Sequence, residues 1–326
     1  MTAAETELRL EQYRVELTGY CYRMLGSPFD AEDAVQETLV RAWRNLDRYD
    51  EEQGPLRPWL YKIATNVCLD VLRSAQRRAR ATDLAPPSRP GPDIGEPLPE
   101  SAWVLPVPDE RVVPAGADPA EHAALRDSVR LAFVAALQRL PPRQRAVLIL
   151  RDVLCWQAAE VAGLLDTTVA SVTSALQRAR ATLGAMPSVA PDPMTDDEQR
   201  RLVDRYCEAF ERYDVEALVA LLHEDAISSM PPFVWWLRGR DDIRSSLSAS
   251  DRFCAGARVV RTVANGSPAF GQYLPIGPDG QYRPFALVVL TLSGGLVAEE
   301  TTYLDAERLF ALFGLPSGDE FRAAVP

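Results

Sequence analysis

A chain of 326 residues with 47% apolar and 25% charged side chains has room for two or three globular domains with cores of their own. No apolar run approaches the roughly 18 residues that a membrane span needs, and the acidic opening MTAAETELRLEQ does not read as a signal peptide, so a cytoplasmic protein is expected. Five scattered cysteines form no C-x-x-C pair, and neither histidine (His122, His223) lies near one, which argues against a disulfide scaffold or a zinc site; no metal or cofactor is expected.

The formal charge of −11 hides an alternation. Residues 57–82 carry +5 and residues 128–187 carry +4, against −6 for residues 1–56, −6 for 83–127 and −8 for 188–326. Net charge bears on solubility, whereas the local field of each basic block decides where a phosphate backbone can sit.

Residues 8–80 are predicted helical almost throughout. A first helix, LRLEQYRVELTGYCYRML, ends at Gly26, and Asp30 is expected to cap the next, DAEDAVQETLVRAWRNL. After a polar turn, a long helix is expected from Trp59 to Arg80. Residues 82–120 are rich in proline and read as a linker, although Trp103–Pro108 (WVLPVP) is apolar enough either to staple locally or to dock on a neighbouring domain. Four helical segments follow over residues 121–184. Val169, Val172, Leu176, Ala179 and Leu183 form one apolar stripe, and the opposite face carries Ser171, Thr173, Ser174, Gln177, Arg178 and, nearby, Arg180. With AAEVAGLLD before it and a short turn at Asp166–Thr168, this is a helix-turn-helix, or equally a plain αα-hairpin with a solvated face. Arg can contact guanine, Gln adenine, and Ser or Thr base or phosphate, but two arginines make a thin grip on DNA. Residues 195–316 begin with two helices, and the strands AISSM, VWWLRG, ARVVRTVA, AFGQYL, PFALVVLTL and GLVAEETTYL then suggest a curved antiparallel meander in an α+β domain.

Two blocks in this order, DAEDAVQETLVRAWRN with RPWLYKIATNVCLDVLR and LPPRQRAVLILRDVLCWQAAEVAGLLDTTVASVTSALQRARATL, resemble the extracytoplasmic-function (ECF) type of sigma-70 family RNA polymerase sigma factors. The tail is similar to a SnoaL-like (NTF2-like) domain, as in the actinobacterial subgroup with this extension. The resemblance implies two all-α domains and a C-terminal α+β NTF2-like cone. Sigma domain 2 is expected at 8–81, a linker at 82–120, sigma domain 4 at 121–186 and the SnoaL-like domain at 195–316. It implies that Asp30, Glu32, Asp33 and Glu37 bind the β′ clamp of core RNA polymerase, with the β subunit a further contact. These carboxylates equally suit a helix N-terminus. It implies that Trp59, Tyr61, Lys62, Asn66, Arg73, Arg77 and Arg78, with Arg80, recognise and open the promoter −10 element. The loop Tyr49–Arg57 would pocket a flipped base. Ser171, Thr173, Ser174, Gln177, Arg178 and Arg180 would read the −35 element. Many relatives are basic at the positions of Thr173 and Ala175, so a different −35 sequence and a weaker contact are expected here. Tethering of the two modules would offset that weakness.

In the last domain Tyr206, Met230, Trp235, Trp236, Arg238 and Tyr273 are candidate cavity residues, with ordinary core the alternative. Arg238 and Glu299 or Glu300 are candidate buried polar partners. His223, Glu224 and Asp225 are placed at a helix end and Asp241 and Asp242 at a helix start, so no working acid–base pair stands out. A non-catalytic, regulatory module in contact with the sigma core is expected. Two other readings remain: a helix-turn-helix regulator that needs no polymerase, and an enzyme acting on a small molecule in the C-terminal cavity.

Overall fold

Gly26, at φ 75°, ends helix α1 (Arg14–Leu25) and turns the chain into α2 (Pro28–Arg44). Only a residue without a Cβ takes that left-handed position cheaply. Ser27, not Asp30, caps α2: its hydroxyl accepts from the Asp30 N–H at 3.2 Å, and Pro28 occupies the first turn where no N–H is needed. The structure, a computed structural model, describes residues 8–46, 49, 54–74, 77–91, 93–115, 118–185, 194–249, 253–277, 280–317 and 320–321. The chain divides into two compact units: residues 1–79 with 101–188, and residues 80–100 with 189–326.

In the first unit, α1 and α2 pack with α3 (Leu56–Ser74) around Leu17, Tyr20, Val35, Leu39, Leu60 and Ala64. The helix expected to run to Arg80 ends at Ser74, because Arg78 turns inward and Ala79 bridges to Trp103. The apolar WVLPVP stretch docks rather than dangles. Trp103, Val104, Leu105 and Val107 are buried; the Tyr22 hydroxyl donates to the Leu105 carbonyl at 2.7 Å, and the Leu105 N–H donates to the Gly26 carbonyl at 3.0 Å. A short helix α5 (Asp109–Val112) follows, after α4 (Ala81–Leu84) in the other unit. Then come α6 (Pro119–Asp127), α7 (Leu131–Gln138), α8 (Pro142–Leu148) with a π-turn Ile149–Val153, α9 (Ala158–Leu164) and α10 (Val169–Gly184). Five helices thus stand where four segments were expected. Cys21 and Cys68 are buried free thiols, and Cys155 is exposed.

Two buried arginines join these helices to α1. Arg145 of α8 donates to the carbonyls of Gln138 and Leu140 at 3.0 and 3.2 Å, to Gln138 Oε1 at 2.6 Å, and to the Met24 carbonyl. Arg23 of α1 donates to Ser128 Oγ at 2.7 Å and to the Leu125 carbonyl at 3.2 Å. Burial pulls both guanidiniums down to about 10, which leaves them ionised at neutral pH.

In the second unit, α11 (Asp196–Glu211) and α12 (Val215–Ala220) precede β1 (Leu222–Ser229), β2 (Trp236–Arg238), α13 (Arg240–Ala249), β3 (Arg258–Ala264), β4 (Ser267–Leu274), β5 (Arg283–Ser293), β6 (Leu296–Tyr303) and α14 (Ala306–Leu312). The sheet order is β2-β1-β6-β5-β4-β3. The expected meander holds from β3 to β6, but β1 joins β6 in parallel, so the sheet is mixed. Parallel pairing needs a long crossover, and β2, α13 and the strands β3–β5 supply it. His223, Glu224 and Asp225, expected at a helix end, lie in β1. Helices α11–α13 cover one face of the sheet through Tyr206, Phe210, Leu218 and Ile243. On the other face α14 approaches Gly271, where a Cβ would stand 2.8 Å from Leu315 and 3.0 Å from Phe310.

The first half of the linker belongs to this second unit. Ser88 and Trp236 exchange hydrogen bonds along the edge of β2, Pro97 bridges Phe233, and the Leu98 N–H donates to the Pro232 carbonyl at 2.9 Å. The Trp236 indole donates to the Ala85 carbonyl at 2.9 Å, and Arg80 pairs with Glu299 at 3.3 Å. An edge strand with unpaired backbone groups is thereby covered.

Two glycines test the packing in opposite directions. A Cβ on Gly19 would lie 2.3 Å from the Val112 carbonyl oxygen, whereas one on Gly163 meets nothing within 4 Å. Gly19→Ala is expected to cost about 1–3 kcal/mol and Gly163→Ala to stabilise by about 0.5–1 kcal/mol, both read by urea denaturation followed by circular dichroism.

Candidate nucleic-acid interface

The α2–α3 pair forms a shallow cleft of about 360 Å³ lined by Arg41, Asn45, Trp59, Ile63 and Asn66. Helical spacing explains the lining: 41 and 45 are one turn apart on α2, and 59, 63 and 66 follow the same stripe on α3. Trp59 is half-buried, its ring centroid 5.2 Å from that of Tyr49, and Asn66 is exposed. Arg41 pairs with Glu37 at 2.6 Å, and Asn45 Nδ2 donates to the Arg41 carbonyl at 2.8 Å. A flat ring wall beside amide and guanidinium donors suits an unstacked base. Of the residues named for the −10 element, Trp59 and Asn66 line this one cleft. Arg41, Asn45 and Ile63 were missed; the first two lie on a helix whose acidic start drew attention to polymerase binding instead. Residues 50–53 of the loop Tyr49–Arg57 lie outside the described residues.

The other expected −10 residues disperse. Tyr61 is fully buried between Tyr20 and Trp156, at ring-centroid distances of 5.1 and 5.0 Å, so its face is not open to a base. Arg57 lies over both the Tyr61 and Trp156 rings, 5.4 and 5.6 Å from their centroids, and pairs with Glu16 at 2.9 Å. Lys62 Nζ pairs with Asp166 Oδ1, 2.7 Å away in the turn between α9 and α10. Arg78 is buried and structural, held by Asp30 at 2.5 Å and by the Trp103 carbonyl at 2.8 Å. Its expected phosphate contact is therefore replaced by an internal ion pair, and Asp30 is engaged as well. Arg80, not helical, pairs with Glu299. Arg73 sits beside Asp70 at 3.0 Å, and Arg77 is exposed.

On α2, Glu32 and Asp33 are exposed and Glu37 half-buried; Glu32 has Arg111 at 3.4 Å. Trp43, on the same helix, is 57% exposed.

The helix-turn-helix is formed. Asp166 takes the left-handed region at φ 48°, and Thr168 caps α10 by accepting from the Ser171 N–H at 3.2 Å. Val172, Leu176 and Ala179 are buried, while Val169, placed in the stripe by periodicity, is 47% exposed because it stands at the first turn, ahead of the packed part. Ser171, Thr173, Ser174, Gln177 and Arg178 present one exposed face. Arg180 turns aside to a bidentate pair with Asp152 at 2.7 and 2.9 Å.

In the second unit Tyr206 and Trp235 join the core on the helix-covered face, and Met230 packs against it. Trp236 is held by the linker. Tyr273 lies on the opposite face, stacked on Phe321 with centroids 4.1 Å apart, because alternate strand residues point to opposite sides. Arg238 faces outward in a cleft with Glu224, Asp225, Asp241 and Asp242, 3.7 Å from Asp225. Glu299 pairs with Arg80, while Glu300 accepts from the Tyr206 hydroxyl at 2.9 Å; burial raises the Glu300 carboxyl above its usual range. Among the described residues no group of three or more His, Cys, Asp or Glu could hold a metal ion, and no helix is long and apolar enough to cross a membrane.

Three known families match in order: Sigma-70 region 2 at residues 10–78, Sigma-70 region 4 at 130–183, and the SnoaL-like domain at 203–300. The ECF RNA polymerase sigma factor SigG of Mycobacterium tuberculosis is 43% identical over 312 residues, spanning 94% of this chain and 82% of that protein. SigJ of the same organism is 31% identical over 303 residues, covering 88% of each. The crystal structure of Mycobacterium tuberculosis SigJ superposes with a TM-score of 0.59 at 24% identity, covering 97% of this chain and 100% of that one, a likeness of fold.

Arg145 is the group on which the α1–α8 packing turns. Arg145→Ala strips three backbone carbonyls and the Gln138 side chain of their donor and is expected to cost about 3–5 kcal/mol, read as a lower urea midpoint for the first unit. Arg178→Ala, on the exposed face, is expected to change stability by less than about 0.5 kcal/mol.

Proposed function

From a chain that belongs to the ECF RNA polymerase sigma factors, and so binds core RNA polymerase and promoter DNA to direct promoter-specific initiation, we propose the following division of labour. The exposed end of α2, with Glu32 and Asp33, meets a basic surface of the polymerase β′ clamp, and the β subunit holds the helix-turn-helix. The cleft of Arg41, Asn45, Trp59, Ile63 and Asn66 receives an unstacked base of the −10 element. The α10 face of Ser171, Thr173, Ser174, Gln177 and Arg178 reads the −35 element. The domain limits 8–81, 82–120, 121–186 and 195–316 serve as working boundaries, with residues 80–100 acting as part of the C-terminal module.

The observation that carries this reading is the cleft itself: a half-buried tryptophan face flanked by donors on two helices. Strand opening needs no covalent chemistry. A protein that holds the flipped base lowers the free energy of melted DNA by the energy of that contact. The packed arrangement of the first unit is read as a resting form. Lys62, one of the cations DNA needs, is neutralised there by the turn of the −35 module, and polymerase separates the pair. The C-terminal domain is read as a regulator, not an enzyme, that acts on the sigma core through the linker half it holds. The protein works in the cytoplasm, where the polymerase is.

Run-off transcription with core polymerase on a promoter selected from genomic fragments tests the scheme. Trp59→Ala and Asn66→Ala are each expected to lower the yield of permanganate-reactive open complex about tenfold, the equivalent of one lost stacking or bidentate contact. Asp166→Asn, which keeps the left-handed turn and removes the charge, is expected to raise output about two- to threefold, since an exposed ion pair holds only a fraction of a kcal/mol. If the chain and core polymerase together start RNA no more specifically than core alone, the scheme is wrong.

A further inference from the structure

The second helix of the helix-turn-helix has an apolar first turn. Val172, Leu176 and Ala179 of α10 are buried and fix which side faces the core. Residues 169, 173 and 177 fall on one exposed line, each a helical turn from the next, with Ala170 beside them. Val169 is 47% exposed, although valine is a side chain that folding usually buries. Val169, Ala170 and Thr173 bear methyl groups, and the first amide on the line is that of Gln177, a turn further on. Ser171 stands two residues from Val169 and so does not share its side of the helix.

The hydroxyl donors of the two threonines here are spent on the helix itself. Thr168 Oγ1 accepts from the Ser171 N–H at 3.2 Å and donates to Ser171 Oγ at 3.0 Å. Thr173 Oγ1 donates to the Val169 carbonyl at 3.0 Å, the bond a helical threonine makes to the residue four places before it. With its donor committed there, Thr173 has a methyl group to offer a base. Arg180, the cation nearest this line, is held by Asp152 at 2.7 and 2.9 Å. Residues 168–173 contain no cation, and Ser174, Gln177 and Arg178 supply the polar part of the face later along the helix.

A single exposed valine needs no explanation on an ordinary surface. On a helix that enters the major groove it does, because the N-terminal residues of such a helix meet the base edges. Those edges are mostly donors and acceptors, and covering one with a methyl group strips its water without a replacement bond. The thymine 5-methyl is the apolar group that the major groove presents. On the footing that α10 reads the −35 element, as proposed above, we propose that this element contains a thymine whose 5-methyl group packs against Val169 and the Thr173 methyl. Val169 is then a specificity-determining residue that polarity alone would pass over. The contact releases no counterion, so it discriminates between sequences equally at low and at high salt, whereas the Arg178 contribution falls as salt rises.

The test uses the full-length protein with core RNA polymerase on a promoter selected from genomic fragments. Each thymine of its −35 element is replaced in turn by deoxyuridine, which deletes the 5-methyl group and keeps the pairing with adenine. Affinity is read by competition against the unmodified promoter. At one or two positions uracil is expected to weaken the parent complex about fourfold, the worth of one methyl group taken out of water. In Val169→Ala the same replacement is expected to matter less than about twofold, because the pocket for the methyl group is gone. Thr173→Ser keeps the hydroxyl and its bond to the Val169 carbonyl, removes only the methyl, and is expected to blunt the uracil effect as well; it decides the matter should Val169→Ala misfold. Arg178→Ala separates the two levels of the proposal. If it leaves the dependence on the −35 element unchanged, the reading of α10 fails. If it weakens that dependence while no uracil matters, the thymine contact alone is overturned. A loss in Val169→Ala that is equal on thymine and uracil templates places Val169 against polymerase instead and also overturns it.

Discussion

The first unit depends on two guanidiniums kept out of water. Arg145 reaches from α8 to the Met24 carbonyl at the end of α1, and Arg23 reaches from α1 to Ser128 and the Leu125 carbonyl. Burying a charge costs several kcal/mol unless its donors are met, and here backbone carbonyls and neutral side chains meet the terminal N–H groups of both, while Arg145 Nε stays without a partner. An apolar core alone would let the two sets of helices slide. A planar fork that must find fixed carbonyls admits one arrangement. The helix-turn-helix is thus held against α1 and its neighbours through carbonyls at helix ends, where four acceptors lack intrahelical partners.

The linker obeys the same logic in two halves. Its first half has many prolines and so few backbone donors, which suits a strand edge needing little more than an occasional partner; Ser88 donates to Trp236 of β2, and Leu98 donates to the Pro232 carbonyl in the segment before that strand. Its second half carries the apolar residues and settles on α1, where Gly19 allows the Val112 carbonyl to approach and Tyr22 holds the Leu105 carbonyl. A segment that composition marks as a spacer is therefore divided between the two units at Glu100 and Ser101.

That division shows where sequence reasoning stops. Helices with strong periodicity or a clear terminator, such as α1 before Gly26 and α10 after Thr168, were legible because their signals are local. The six strands were legible from alternation, but the parallel pairing of β1 with β6 was not, because register is a property of two distant segments. The family and the fold class followed from the two sigma blocks and the strand pattern of the tail. Arg78 did not: in sequence it is one of a run of arginines, and only the fold reveals that its neighbour is Asp30, 48 residues away. Tyr61 and Trp59 are two positions apart on one helix, which sends one ring into the core and the other to the cleft, and no composition argument separates them.

Exposure also resolves how a chain of net charge −11 can hold a polyanion. Its basic side chains fall into two classes by what surrounds their partner. The Arg78 side chain is 8% exposed and its pair with Asp30 is part of the fold; giving it to a phosphate would leave the half-buried Asp30 carboxylate and the Trp103 carbonyl without this donor. The Lys62–Asp166 pair is 39% and 74% exposed, and that of Arg180 with Asp152 is 61% and 28% exposed. Such pairs hold only about 0–1 kcal/mol each, and both members are readily solvated when they part. The second class is the reserve from which DNA contacts can be drawn, and each exchange replaces one anion by another rather than burying a new charge. Added salt weakens an internal pair and a phosphate contact together, so under the proposed exchange the balance between resting and DNA-bound forms responds to ionic strength less steeply than a count of phosphate contacts alone implies.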